Sequence, residues 1–247
     1  MDTVDLKENE RIDDLEYKGF KIIQNPNYFC FGVDAVLLSE FAKEIKEDVT
    51  VVDLGTGNGI LGILLCAKTK LKKIFGIEIQ KKICDMAKRS IKMNKIEDRF
   101  EIINADIKTV YNEFKNQKID VIVTNPPYKK ENSGVTNENE AKLIARHEVK
   151  CTLKDIIETS SKILKEKGSL YMIHKTERLV EIIETLKMYK LEPKTIRFIH
   201  SNIDKNSKLV LIKANKNEGS FLKVEPPLII YDSNELYNKE ILKIYNK

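Results

Sequence analysis

Four cysteines in 247 residues, at 30, 66, 84 and 151, form no C-x-x-C pair, and no histidine cluster lies near them. Neither a zinc site nor a disulfide framework follows; the expected role is that of small buried hydrophobes, with no metal. Long apolar runs are missing as well, none approaching the roughly 18 residues needed to span a bilayer. The first residues, MDTVDLKENERIDD, are acidic and hydrophilic where a signal peptide needs a basic start and an apolar core. A cytoplasmic location with no membrane partner is therefore expected. Arginine is scarce, six of 43 basic residues, beside an abundance of Lys, Asn and Ile. The net charge of +5 thus reflects a compositional bias, and it permits a polyanionic partner without demanding one. What is present is 42% hydrophobic and 33% charged residues with no long single-sign block, the balance of a folded globular chain.

From residue 50 onward, short apolar runs alternate with longer helical ones. TVVDL (50–54), KIFGIEI (73–79), FEIIN (100–104), DVIVTN (120–125) and SLYMIH (169–174) read as strands. ILGILLCAK (60–68), QKKICDMAKRSIKMN (80–94), LKDIIETSSKILKEKG (153–168) and TERLVEIIETLKMYK (176–190) read as helices, the second with an apolar stripe at Ile83, Ala87 and Ile91. Gly168 is the expected stop of the third, and Thr176 the expected cap of the fourth. KTIRFIH (194–200) and KLVLIKA (208–214) have no helix between them and should pair antiparallel. The pattern predicts an α/β fold, a mostly parallel sheet covered on both faces with that hairpin at one edge. Residues 50–247 form its domain. Residues 1–49 are an extension packed on it, with a hairpin in KIIQNPNYFCF (21–31), turning at Asn25-Pro26-Asn27, and an amphipathic helix at 33–45 whose Asp34 reads as an N-cap. Residues 126–151 lack periodicity and read as one long functional loop.

The chemistry gathers at the strand ends. DLGTGNG (53–59) joins the first strand to the first helix, and its glycines let the backbone turn sharply and a ligand approach main-chain N–H groups. The spacing is not G-x-G-x-x-G, and Asp53 would repel a pyrophosphate; an ammonium group suits it better. Glu78, 25 residues later, can accept hydrogen bonds from both ribose hydroxyls, and Asp106 can reach an exocyclic amine of an adenine. Each has a plainer alternative: a tight turn, a helix-start charge, an N-cap. A nucleoside that carries an amine and a carboxylate at its far end and needs no phosphate cradle is S-adenosylmethionine.

The remaining motif is Asn125-Pro126-Pro127-Tyr128, directly after the fourth strand. The lone pair of an aryl amine or amide is conjugated and poorly nucleophilic. The Asn125 side-chain oxygen and the Pro126 carbonyl can accept both N–H bonds of such a nitrogen and favour a pyramidal geometry. Two prolines freeze those acceptors in place, and Tyr128 offers a ring on which a flipped-out base can stack.

VVDLGTGNG, GIEI and TNPPY, in this order, resemble class I S-adenosylmethionine-dependent methyltransferases of the amino-methylating kind. The resemblance implies a Rossmann-like seven-stranded sheet with an antiparallel last strand. It implies cofactor contacts at Asp53, Gly55, Thr56, Gly57, Gly59, Glu78, Ile79, Asp106, Ile107 and Asn125, with Asn125, Pro126, Pro127 and Tyr128 catalytic. Over most of the chain, IIQNPNYFCFGVDAVLLSEFA (22–42), NPPYKKENSG (125–134), ARHE (145–148), GSLYMIHKTERL (168–179) and EPPLIIY (225–231) resemble the bacterial family that N6-methylates adenine 37 of a valine tRNA. That implies tRNA as the partner; action as a monomer is a separate expectation that the sequence does not fix. Lys129, Lys130, Arg146 and His147 are candidate RNA contacts, as is a second group at Lys205, Lys208, Lys213 and Lys216; a solvated surface is the plain alternative for both. His174 and Lys175 end the fifth strand on the ligand edge. Glutamine N5-methylation of a release factor is the rival chemistry, although those enzymes generally carry a helical domain ahead of the core. A noncatalytic RNA-binding module is the rival of another class, and the intact NPPY speaks against it.

Overall fold

The structure, a computed structural model, describes residues 5–28, 30–128 and 151–245. In chain order it contains β1 (Arg11–Asp14), β2 (Lys21–Gln24), α1 (Val33–Phe41), β3 (Thr50–Leu54), α2 (Ile60–Lys68), β4 (Lys73–Glu78), α3 (Lys81–Met93) and β5 (Phe100–Asn104). After these come β6 (Ile119–Thr124), α4 (Leu153–Ile163), β7 (Leu164–Lys175), α5 (Leu179–Met188), β8 (Leu191–His200), β9 (Leu209–Lys216), β10 (Lys223–Val224), β11 (Leu228–Ile229) and α6 (Lys239–Ile244). The principal strands run in the order β8-β9-β7-β6-β3-β4-β5. Strands β3 to β7 are parallel, while β9 lies antiparallel to both β7 and β8. This is the expected seven-stranded Rossmann-like sheet with an antiparallel last strand. The two-residue strands β10 and β11 extend it by pairing with β8.

The apolar runs form central strands because both sheet faces are covered, so consecutive residues are buried in opposite directions. Val51, Ile74, Val121 and Val123 join α1, α2 and α3 in one core. Val52, Leu54, Ile77 and Ile122 join α4 and α5 in the other. Gly62 of α2 sits so close to Phe100 of β5 that a Cβ there would lie 2.3 Å from the ring. Helix α3 buries Ile83, Ala87 and Ile91, the stripe read from the sequence. Cys66 and Cys84 are buried and all four cysteines are free; Cys30 and Cys151 are only partly covered. Among the described residues no helix is long and apolar enough to cross a membrane, and no His/Cys/Asp/Glu group could hold a metal.

Several local expectations are corrected. The N-terminal hairpin is not within 21–31: β2 pairs antiparallel with the polar β1, from Arg11↔Gln24 to Asp14↔Lys21. The Asn25 turn forms, with Asn27 N–H bonded to Asn25 Oδ1 at 2.9 Å, but no strand follows it. Backbone Ile23 N–H donates to Ser90 Oγ at 3.0 Å, and Arg89 pairs with Glu10 at 2.5 Å, which docks this hairpin on α3. Helix α1 stops at Phe41 and is not amphipathic in the simple sense, because Ala35 to Ser39 are all buried. Helix α4 ends at Ile163, not Gly168. Leu164 turns extended to pair with Ile119, and the extra residues bulge before Ser169 pairs with Val121. Gly168 serves that bulge, since a Cβ would stand 3.0 Å from the Asp120 carbonyl. Thr176 caps nothing; its hydroxyl meets Ser207 Oγ at 2.9 Å, in a 3-10 turn that precedes α5.

Candidate active site

Strands β6, β3, β4 and β5 are neighbours, so their carboxyl ends lie side by side about 5 Å apart. Asp53 is in register with Val123 on one side and Gly76 on the other. Glu78 pairs with Asn104, Asp106 follows β5 by two residues, and Asn125 follows β6 directly. Open α/β sheets bind ligands along this edge. Asn125, Asp53, Glu78 and Asp106 thus form one row.

Asp53 is 1% exposed. Burial pushes its carboxyl up to about 7, the nearby Glu78 charge adds to the rise, and the hydrogen bond from Thr56 Oγ1 at 2.6 Å opposes it without winning. Thr56 is held in turn by Gly76, where a Cβ would stand 2.8 Å from the threonine side chain. Gly57 and Gly59 adopt positive φ, 56° and 87°, which only glycine takes without strain. Nothing lies within 4 Å of where a Gly57 Cβ would be, so the loop surface there is open. Gly55 and Thr56 both donate their N–H groups to Ile77 O at 3.0 Å, which ties the loop to β4. The buried Asn58 Nδ2 has no hydrogen-bond partner. A buried acid that favours a cation, an unused amide donor and an open glycine surface fit a ligand end that carries both an ammonium and a carboxylate.

Glu78 is buried, and its Oε1 accepts from Gln80 N at 2.8 Å. Ile79, next to it, is 38% exposed, and Asn104 Nδ2 donates to the carbonyls of Glu78 and Ile79 at 2.8 and 3.0 Å, fixing that corner. Asp106 closes a local turn, with Lys108 N–H donating to Oδ1 at 2.9 Å, and it caps no α-helix, since only a 3-10 turn over Val110–Asn112 follows. The half-buried Ile107 reaches toward Gly55, its Cδ1 4.0 Å from where that glycine's Cβ would stand.

At the other end of the row, Thr124 Oγ1 donates to Leu54 O at 2.8 Å and locks the end of β6 to β3. Pro126 is buried and Pro127 exposed. The Tyr128 hydroxyl lies 2.7 Å from Asn125 Oδ1 and 2.7 Å from Asp34 Oδ2. Burial, then the Asp34 charge, raises its pKa well above the ordinary phenol value, so the proton is held firmly. The expectation for Asp34 is corrected here: Gly32 occupies the N-cap position and makes no side-chain cap, and the Asp34 carboxylate faces Tyr128. The Tyr128 ring packs against His174, centroids 5.3 Å apart. His174 is fully buried; burial above all lowers its pKa to about 4, so it is neutral at physiological pH. Its Nδ1 accepts from Lys175 N at 2.8 Å, which leaves the proton on Nε2, a donor with no partner.

Lys129, Lys130, Arg146 and His147 lie outside the described residues. Of the second lysine group, Lys205 and Lys208 are exposed, while Lys216 Nζ bonds Leu164 O at 2.8 Å and Lys213 lies over the Tyr171 ring at 5.3 Å. Asp34 and Asn58 are the site groups that the sequence does not single out. Asn58 sits inside the glycine motif, whereas nothing in the order of residues couples Asp34 to Tyr128, 94 positions away.

The chain is similar to known proteins over most of its length. The chain is 24% identical over 230 residues to a protein of Flavobacterium johnsoniae named tRNA1(Val) (adenine(37)-N6)-methyltransferase, covering 93% of this chain and 96% of that one. A protein of the same name from Porphyromonas gingivalis is 26% identical over 239 residues, with 94% and 93% covered. Among solved structures, a predicted O-methyltransferase of Agrobacterium tumefaciens superposes with a TM-score of 0.68 at 21% identity, over 86% of this chain and 95% of that one. A 16S rRNA N2 G1207 methyltransferase of Thermus thermophilus gives 0.61 at 16% identity, over 86% and 52%. Both share the fold. The sequence pattern of the Methyltransferase small domain matches residues 19–199, from the turn before β2 almost to the end of β8, and the chain belongs to that family.

Proposed function

We propose that this protein transfers a methyl group from S-adenosylmethionine to the exocyclic N6 of adenine in tRNA, at adenine 37 of a valine tRNA. One observation carries the reading: Asn125-Pro126-Pro127-Tyr128 begins where β6 ends, next to a buried Asp53 and in line with Glu78 and Asp106. Bound there, the sulfonium would supply an electrophilic methyl. Asp53 and Asn58 would hold the amino-acid end over the glycine surface, Glu78 the ribose, and Asp106 with Ile79 and Ile107 the adenine. Asn125 Oδ1 and the Pro126 carbonyl would accept the two N–H bonds of the acceptor amine and draw its lone pair out of conjugation. Tyr128, backed by His174, would stack the flipped base. The methylated nitrogen is strongly acidic, so no dedicated base is required.

The choice of acceptor draws support from the relatives, whose names specify adenine in tRNA over more than nine tenths of this chain. A tRNA substrate supports a cytoplasmic place of work. Incubation with labelled methyl donor and either unmodified tRNA or a release factor tests the reading. Label is expected in tRNA as N6-methyladenosine, and Asn125→Ala is expected to lower turnover by about 10²-fold or more with cofactor affinity nearly unchanged. Label in the release factor alone, or an undiminished Asn125→Ala variant, would refute it.

A further inference from the structure

Tyr128 has one hydroxyl proton and two acceptors, Asp34 Oδ2 and Asn125 Oδ1, each at 2.7 Å. The competition is unequal, because a hydrogen bond to a carboxylate is about twice as strong as one to a neutral carbonyl. The proton therefore faces Asp34. Tyr128 Oη is left with lone pairs toward Asn125, and two oxygens at 2.7 Å with no proton between them repel. A half-turn of the Asn125 amide removes the conflict by bringing Nδ2–H2 to Oη as a donor. Oδ1 is then free of Tyr128. With the opposite choice, the acceptor needed for chemistry would be occupied by a neighbour.

We infer that Asp34 is a positioning residue: by claiming the Tyr128 proton, it turns the Asn125 amide so that its oxygen is available to the N–H of the acceptor base. This rests on the role proposed for Asn125 in methyl transfer. Two further features suit Asp34 to the task. It stands in the first turn of α1, and that helix is fixed by five consecutive buried residues, so the carboxylate has a set position. His174 packs against the Tyr128 ring, limiting how far the hydroxyl can wander between its two acceptors.

Asp34→Asn exchanges the stronger acceptor for an amide that can itself donate to Tyr128 Oη, which sends the phenol proton to Asn125. Single-turnover methylation is expected to fall about tenfold or more in Asp34→Asn, with cofactor Kd within twofold of wild type. In a Tyr128→Phe background the same substitution is expected to change the rate by less than twofold. A wild-type rate in Asp34→Asn, or an equal loss in both backgrounds, would overturn the inference. Should Tyr128→Phe be too slow to follow, the side-chain amide resonance of Asn125 in protein carrying ¹⁵N-asparagine, assigned by its loss in Asn125→Ala, gives a second readout. It is expected to shift in Asp34→Asn, and to be the same in Tyr128→Phe with or without Asp34→Asn. No shift in Asp34→Asn would defeat the relay. Full activity in Asn125→Ala would instead remove the role of Asn125 on which it rests, and the two failures are thus distinct.

Discussion

Asp53 is a carboxyl placed where charge is costly, and the cost is what adapts it to a cation. A group lifted to about 7 by burial is part protonated near neutral pH, and an ammonium beside it would restore the carboxylate. The sign follows: below about 7 the free protein holds a proton that cofactor binding must release, so affinity is expected to weaken as pH falls through that value, by up to tenfold per unit. Titration calorimetry in buffers of different ionisation enthalpy checks both the slope and the proton release. Asp53→Asn should bind weakly with a flat profile; a wild-type affinity that does not change between pH 5.5 and 8 would remove Asp53 from the cofactor site. The same shift works against the fold: a carboxyl raised from 3.8 favours the folded state in its protonated form, so that contribution is present at low pH and is lost as pH rises through about 7. Residues adjacent to a strand end, Asp53, Glu78 and Asn125, were legible because the sequence itself marks where the strand stops. Asp34 was not, since an acid at a helix start fits a cap equally well until the topology brings Tyr128 to it.

Among the elements, the parallel strands and their helices were readable because burial on both faces leaves continuous apolar runs. Strand β1 was not: RIDD is polar and largely exposed, and only its pairing with β2 and the docking of that hairpin on α3 make it a strand. The end of α4 was misjudged for a related reason, because LKEKG has the composition of a helix end while Leu164 gains a buried strand pairing with Ile119. Gly62 shows what local propensity misses. Alanine there should help an isolated helix by roughly 0.5–1 kcal/mol, yet its Cβ would stand 2.3 Å from Phe100, and overpacking costs about 1–3 kcal/mol. The clash is expected to win: Gly62→Ala should lower stability by about 1–2 kcal/mol in denaturant titration, with partial recovery when Phe100→Leu is added. Stability at or above wild type would mean that α2 and β5 are less tightly joined than described.

For the whole molecule, the functional argument is one of position. Four neighbouring strands end on one edge, and each delivers a group with a different task, from the acids that would hold a methyl donor to the rigid tetrapeptide that would hold its acceptor. A net charge of +5 eases approach of a polyanion and does not choose among polyanions. The two carbonyl acceptors and the aromatic ring proposed at the end of β6 suit a planar, conjugated amine, and the choice of adenine within that class rests on the relatives named for adenine in tRNA. The most direct measurement is nucleoside mass spectrometry of valine tRNA from cells that lack the protein, complemented with wild type or with Asn125→Ala. N6-methyladenosine next to the anticodon is expected to vanish in the deletion, return with wild type and stay absent with Asn125→Ala. Its persistence in the deletion, or its return with Asn125→Ala, would contradict the claim that this strand-end carbonyl pair activates the adenine amine.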